Sequence, residues 1–296
     1  MTQTQFDLQE TGVVIPLSNG PKYFNYYWLR DASTSSIDPQ TRERVFDVSQ
    51  LANAPKAKAL AFREDALVID WETEDTPSEV PLHLLEDIAT TGRPSDVAAL
   101  PRRVWYNDHL PKIKRVAQAE VIGTAAGRVA LTRALIEDGI AIVTDMEPTE
   151  ESLPKLVEAI GPVTPSGEGL FFNVRVEINP TNLAFTAGPL EMHTDLPGEE
   201  AAPGVQFLHC IENTVDGGAS LFLDGIAVAM ALKEEDPAAF DLLASHKIPF
   251  FYRHEKIDYL SHQRVIETDQ DGNVTGVTIS QHLQDNMDLP QELLDI

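Results

Sequence analysis

Short apolar runs bounded by turn residues dominate the first hundred positions: TGVVIPL (11–17), KYFNYYWLRD (22–31) and ALVIDW (66–71), with Asn19-Gly20 and polar stretches between them. Runs rich in β-branched and aromatic residues with such punctuation read as strands, so this part is expected to form a small β-rich module. SEVPLHLLEDIAT (78–90) reads as a short helix, with Ser78 as its cap and Pro81 near its start. A Pro- and Arg-rich joint, GRPSDVAALPRRVW (92–105), leads into a different regime. The boundary is expected near residue 110, between a 1–110 module and a 111–296 domain.

In the second part RVALTRALIEDG (128–139) spaces its apolar residues as a helix does and ends in Gly139, followed at once by the apolar run IAIVTDM. ESLPKLVEAIG (151–161) repeats the pattern of a short helix closed by glycine. From Leu170 onward strand-like pieces return: FFNVRVEI, GVQFLHCI, ASLFLDGI, KIPFFYRH, RVIETD and VTGVTIS, with Asp271-Gly272-Asn273 as a hairpin signal. One helical stretch, 226–246, interrupts them and is expected to split at Pro237. Many short strands with turn punctuation predict a mainly β fold with flanking helices, arranged as a sandwich or jelly roll.

Composition narrows the function classes. The chain carries 22 Lys+Arg against 47 Asp+Glu, a net charge of −25, so nucleic acid is a poor partner because phosphate binding needs clustered cations. A single cysteine, Cys210, excludes an intrachain disulfide and a Cys-based zinc site; its residue type predicts a small buried hydrophobe. The first residues lack the basic and apolar regions of a secretory leader, and no run is long and apolar enough for a membrane helix. A cytoplasmic protein without a membrane partner is therefore expected.

His193-Thr194-Asp195 is the one His-x-Asp triplet in the chain. In an extended segment side chains two apart share a face, so an imidazole and a carboxylate there can meet one metal ion. They supply two of the three donors of the 2-His-1-carboxylate triad, which leaves positions on Fe(II) open for co-substrate and O₂. Eight histidines and 23 aspartates in 296 residues predict about 0.6 such triplets by chance, so the triplet alone is weak evidence beside an ordinary polar turn.

Its surroundings strengthen it. The run 182–188 (NLAFTAG), then His193-Thr194-Asp195-Leu196-Pro197, then 203–210 (PGVQFLHC), then 217–225 (GGASLFLDG) resembles, in order and spacing, the γ-butyrobetaine dioxygenase branch of the taurine dioxygenase-like Fe(II)/2-oxoglutarate oxygenases. Tyr26-Tyr27-Trp28-Leu29-Arg30-Asp31 is similar to the signature of that family's small N-terminal domain, and Arg103-Val104-Trp105 to its joint. The resemblance covers nearly the whole chain. It implies a double-stranded β-helix that holds Fe(II) through His193 and Asp195, the catalytic metal ligands, and uses 2-oxoglutarate and O₂ to hydroxylate a small substrate.

Three departures qualify what the resemblance implies. The family's distal histidine and its 2-oxoglutarate-binding arginine fall in a late segment that these 296 residues do not include, so the domain is expected to be partial, truncated at the C-terminal end, and no residue is assigned to 2-oxoglutarate. His254, His262 and His282 lie downstream without a spacing that aims them at iron, while His209 follows an apolar run and is expected to pack near the core. His83 and His109 are expected to be solvated or hydrogen-bonded in the N-terminal module. Some relatives hold a structural zinc just after the Trp-Leu-Arg-Asp signature; Ala32-Ser33-Thr34-Ser35-Ser36 offers no thiolate there, so no zinc is expected.

The third departure concerns substrate. Aromatic faces hold a quaternary ammonium group by cation–π attraction. The resemblance puts Phe172 and Phe185 at cage-like positions, with Asn182 also at the substrate, while Glu168 and Leu196 stand where some relatives have aromatic residues. The other reading of both phenylalanines is plain strand core. The expected substrate is a trimethylammonium compound: γ-butyrobetaine, as in carnitine biosynthesis, trimethyllysine, or a phosphonate analogue. The competing readings are a catalytically silent fragment acting only in association, a dioxygenase for a different small substrate, and a member whose metal site is rebuilt with His282. A homodimer is compatible with each, because an incomplete jelly roll exposes strand edges.

Overall fold

The structure is a computed structural model and describes residues 6–96, 99–166, 169–180, 182–214, 216–254, 257–287 and 289–295. The chain divides into two compact units, Met1–Ala99 and Leu100–Ile296. The division falls before the joint expected near residue 110. Arg102, Arg103 and Trp105 all bond to residues of the second unit, which places the joint, and with it His109, on that side.

In the first unit, β1 (Asp7–Leu8), β2 (Gly12–Leu17) and β3 (Gly20–Asn25) form one antiparallel sheet. A second sheet joins β4 (Ala57–Arg63), β5 (Ala66–Trp71) and β6 (Ser78–Pro81) in that order. Helices α1 (Tyr26–Asp31) and α2 (Leu82–Thr91) follow β3 and β6 directly. Both sheets turn apolar faces into one core of Val13, Ile15, Phe24, Leu67, Ile69 and Val80, with Leu29 of α1 and Leu85 of α2. Tyr26 meets Trp71 edge to face at 6.0 Å.

Two elements differ from expectation for local reasons. Tyr26–Asp31 is helical and not strand-like, because the Asn25 side chain accepts the Tyr27 N–H and starts a helix that aromatic composition disguised. Ser78 does not cap a helix: 78–81 pairs with β5, and its buried hydroxyl accepts the Trp71 indole N–H at 2.8 Å. Arg30 of the signature stretch is structural; it pairs with Glu74 at 2.8 Å and lies over the Phe46 ring at 3.8 Å.

The second unit mixes helices with small sheets. Parallel β7 (Arg115–Ala117) and β8 (Ile142–Thr144) are bridged by α3 (Gln118–Gly123) and α4 (Ala125–Asp138). Gly139, at φ 71°, closes α4 in the left-handed conformation that glycine takes without a Cβ clash. With α5 (Ser152–Glu158) these elements bury Val116, Val121, Leu131 and Leu156. A second cluster gathers Phe240, Ile248, Phe250 and Ile266 from α7 (Pro237–Ser245), β9 (Lys247–His254) and β11 (Ile266–Thr268). Ala229 of α6 (Gly225–Glu235) joins it, and Asp236 between the helices caps α7, so the split at Pro237 is as expected. β9 pairs antiparallel with β10 (Ile257–Arg264), and β11 with β12 (Val274–Val277) around the Asp271-Gly272-Asn273 turn. The short α8 (Gln291–Leu294) comes last.

Between α5 and α6 the described residues contain no strand. FFNVRVEI, GVQFLHCI and ASLFLDGI, all expected as strands, run without ladder partners, and most of their apolar residues face solvent, up to Ile178 at 97% exposure. Cys210 is accordingly exposed rather than buried. His209 is half-buried and its Nδ1 has no partner among the described residues, whereas Phe207 beside it packs onto the α3–α4–α5 core.

Candidate metal centre

The His-x-Asp triplet sits in a loop that is fixed from two sides. Residues 197–199 lie on the β9–β10 hairpin: the Pro197 carbonyl accepts from Ser261 Oγ and from Gln263 Nε2, and Gln263 also donates to the Glu199 carbonyl. Gly198 lets this contact close, since a Cβ there would come within 3.1 Å of the Phe251 backbone. From the other side, Thr194 N–H donates to the Ile279 carbonyl at 2.7 Å and its Oγ1 accepts the Ile279 N–H at 3.0 Å. Leu196 holds φ 54°, a left-handed conformation that costs a branched residue on the order of 1–2 kcal/mol and that these anchors impose.

The two donors converge. His193 Nε2 stands 3.2 Å from Asp195 Oδ1, while His193 Nδ1 lies 2.7 Å from the Glu191 carbonyl. A carbonyl only accepts, so Nδ1 carries a proton and Nε2 faces the carboxylate. In the neutral ring that puts a lone pair against a carboxylate oxygen, and such a pair is satisfied only by a shared cation, either a proton or a metal ion. Gln206 Nε2 donates to Asp195 Oδ2, which orients the carboxylate and leaves Oδ1 for that cation. These residues fit a divalent metal: one imidazole and one carboxylate, each tied on its far side.

A second imidazole lies beside them. His282, in the single 3₁₀ turn Gln281–Leu283, meets the His193 ring edge-on, with centroids 5.0 Å apart and planes at 83°. Burial pushes its pKa below the ordinary imidazole value; the His193 charge acts in the same direction and Asp195 opposes it. Among the described residues no group of three or more His, Cys, Asp or Glu side chains is placed to hold a metal ion.

Of the residues expected at the substrate, Asn182 uses its side chain to accept the Ala184 N–H and start the turn Leu183–Phe185. Phe185 is buried and Phe172 about half exposed; neither makes a ring contact among the described residues. Leu196 is half-buried in the strained position after Asp195. Glu168 and the side chain of His254 lie outside the described residues. His262 is exposed on β10 opposite Pro249, and His83 is exposed in α2. His109 stacks on Trp105, with Nε2 buried and without a hydrogen-bond partner among the described residues.

Sequence reasoning missed the supports. Gln206 lies eleven residues after Asp195, and Ser261 and Gln263 belong to another hairpin; no linear spacing marks any of them.

A profile of the Taurine catabolism dioxygenase TauD, TfdA family matches residues 115–295. γ-Butyrobetaine dioxygenase of Pseudomonas sp. (strain AK-1) is 30% identical over 272 residues, covering 88% of this chain and 69% of that protein. Human γ-butyrobetaine dioxygenase is 34% identical over 160 residues, 52% of this chain and 41% of its own length. Mouse mitochondrial trimethyllysine dioxygenase is 27% identical over 261 residues, 86% of this chain and 59% of the relative. No helix among the described residues is long and apolar enough to cross a membrane. With the profile spanning more than half of its length, the chain belongs to the TauD/TfdA family of dioxygenases, in the γ-butyrobetaine dioxygenase-like branch.

Proposed function

We propose that this protein is an Fe(II)/2-oxoglutarate-dependent hydroxylase of a small trimethylammonium compound, with His193 and Asp195 as iron ligands. The observation that carries this is the 3.2 Å approach of His193 Nε2 to Asp195 Oδ1, each held from behind by Glu191 and Gln206. When bound, the metal supplies the oxidative chemistry and accepts the co-substrate. The protein residues do the rest. Glu191 fixes the ring tautomer, Gln206 fixes the carboxylate, and the Pro197 contacts with β10 keep the loop from drifting.

The second unit is proposed to be a double-stranded β-helix oxygenase domain and the first its small β-rich companion. The alternating apolar residues of 171–178 and the runs at 204–211 and 219–226 support this. The trimethylammonium class rests on what the relatives are named for and on two phenylalanines suited to a cation. Phe172, Asn182, Phe185 and Leu196 are the residues proposed to meet substrate. A second reading, association with another chain, is favoured by the exposed apolar residues of 170–178 and 221–223.

Anaerobic titration of the chain with Fe(II) and 2-oxoglutarate tests the first reading. A saturable visible charge-transfer band is expected, absent in Asp195→Ala and shifted by γ-butyrobetaine, trimethyllysine or a phosphonate analogue. Folded protein that gives no band overturns the metal assignment. A band that none of these compounds shifts leaves the metal site and removes the substrate class.

A further inference from the structure

We propose that the outer face of the β9–β10 hairpin is a binding site for a small organic dianion. In the ladder Lys247 stands opposite Arg264, Pro249 opposite His262 and Phe251 opposite Leu260. Residues two apart on a strand share a face, as do residues directly opposite, so Lys247, Pro249, Leu260, His262 and Arg264 lie together. The alternate residues belong to the inner face: Ile248 and Phe250 enter the core with Phe240 and Ile266, and Ser261 and Gln263 hold the 197–199 loop. Along the edge of β9 away from β10 the segment 284–286 docks as a third strip. Gln284 bridges Phe250, and the Asp285 N–H donates to the Pro249 carbonyl at 3.0 Å. These pieces border a cavity of about 390 Å³ lined by Lys247, Pro249, Leu260, His262, Asp285 and Asn286, with Arg264 next to it across the ladder.

Charge gives the site its sign. The chain's net charge is −25, yet this face sets Lys247 directly against Arg264. Like charges facing each other across a ladder destabilise the sheet. Neither of these side chains, nor that of His262 or Asn286, has an ion pair or hydrogen bond among the described residues. The one carboxylate of the lining is already used: Asp285 Oδ2 accepts from Arg253 Nη2 at 2.9 Å, and Oδ1 accepts the Asn286 N–H at 2.8 Å. An anion between Lys247 and Arg264 turns a repulsive pair into two charge-assisted contacts, and the N–H donors of His262 and Asn286 complete its shell. Pro249 and Leu260 add an apolar wall suited to a short hydrocarbon body. Two cations beside an apolar wall select a compact organic acid with two negative charges over a metal ion or a quaternary ammonium compound.

The test is NMR titration of the metal-free 296-residue chain with succinate at low salt, read on the histidine ring signals, with inorganic phosphate and neutral butanediol as comparison probes. The expectation is a saturable shift of one ring signal, the one missing in His262→Gln, with succinate and not with butanediol. Lys247→Gln and Arg264→Gln, both at exposed positions, should each weaken succinate binding about fivefold or more with unchanged circular dichroism, and added NaCl should weaken it further. Weaker binding of phosphate than of succinate supports the apolar wall; equal or tighter phosphate binding overturns the organic-acid class. No saturable shift of His262, an equal shift with butanediol, or full affinity in both Lys247→Gln and Arg264→Gln overturns the proposal. Asp195→Ala keeps it apart from the metal reading. Succinate binding should persist in that variant, and its loss would move the site to the metal centre and overturn the assignment to the hairpin.

Discussion

The first unit and the run from 161 to 224 carry the same kind of sequence signal and reach opposite ends. In the first unit Arg63 pairs with Ala66 across a two-residue turn, and the ladder runs back through Phe62↔Leu67 and Leu60↔Ile69. Its strand and helix faces bury Val13, Ile15, Phe24, Leu67, Ile69 and Val80 in one cluster. In the later run Phe172, Val174, Val176 and Ile178 alternate as cleanly, yet all four are exposed and no ladder holds them. Alternation states which side chains share a face. Whether the face is covered depends on a partner, and a partner two residues away is entropically cheap while a distant one is not.

The largest expected effect is in backbone protection. Amide hydrogen exchange of the 296-residue chain should show β4 and β5 exchanging only through global opening, and 170–178 exchanging near the rate of unfolded chain, a contrast on the order of 10³-fold or more. Equal protection of the two regions breaks the comparison. It would mean that 170–178 is paired in solution, by a second copy or a rearranged strand, and would favour the association reading.

Core truncation sharpens the same contrast in energy. Leu67 is fully buried between β4, β6 and the helices, so Leu67→Ala should destabilise the first unit by about 2–5 kcal/mol. Ile178→Ala, at a position that buries almost nothing, should stay within about 0.5 kcal/mol. Urea unfolding of both variants checks the pair, and a comparable loss for Ile178 would show that the run has a covered face.

How much was legible follows from the same physics. The β2–β3 and β4–β5 hairpins, α4 with Gly139, and the helix split at Pro237 are local events that neighbouring residues specify. Tyr26–Asp31 was misread because three aromatics outweighed one capping Asn25. Ser78 was misread because a serine before Pro81 is a cap only when no strand claims it, and β5 does. At the site His193 and Asp195 were legible because two residues of spacing carry geometry. Ser261 and Gln263 were not, because their approach depends on how the β9–β10 hairpin docks against the 197–199 segment, which no linear pattern encodes.

The smallest effect concerns the polar clamp that brackets the open run. Trp105 Nε1 donates to the Asp138 carbonyl, Arg103 grips the Asp138 carboxylate at 2.8 and 2.9 Å, and Arg102 reaches Asp224, the residue that ends the run and caps α6. The Arg103 hydrogen bonds hold the Asp138 carboxyl below the usual carboxylate value against the opposing effect of burial, and the charges of Arg103, His109 and Arg102 act in the same direction. A folded-state pKa lowered in this way contributes stability that is complete above the unfolded value near 4 and is lost as pH falls through the lowered one. Asp138→Asn should therefore cost about 1–2 kcal/mol at neutral pH, modest because Arg103 is mostly exposed, and the difference from the parent should shrink as pH drops below about 4. Thermal melts from pH 7 to pH 3 measure it. A difference that stays constant over that range would show that the clamp works by shape alone, and would leave the open run bracketed by packing rather than by charge.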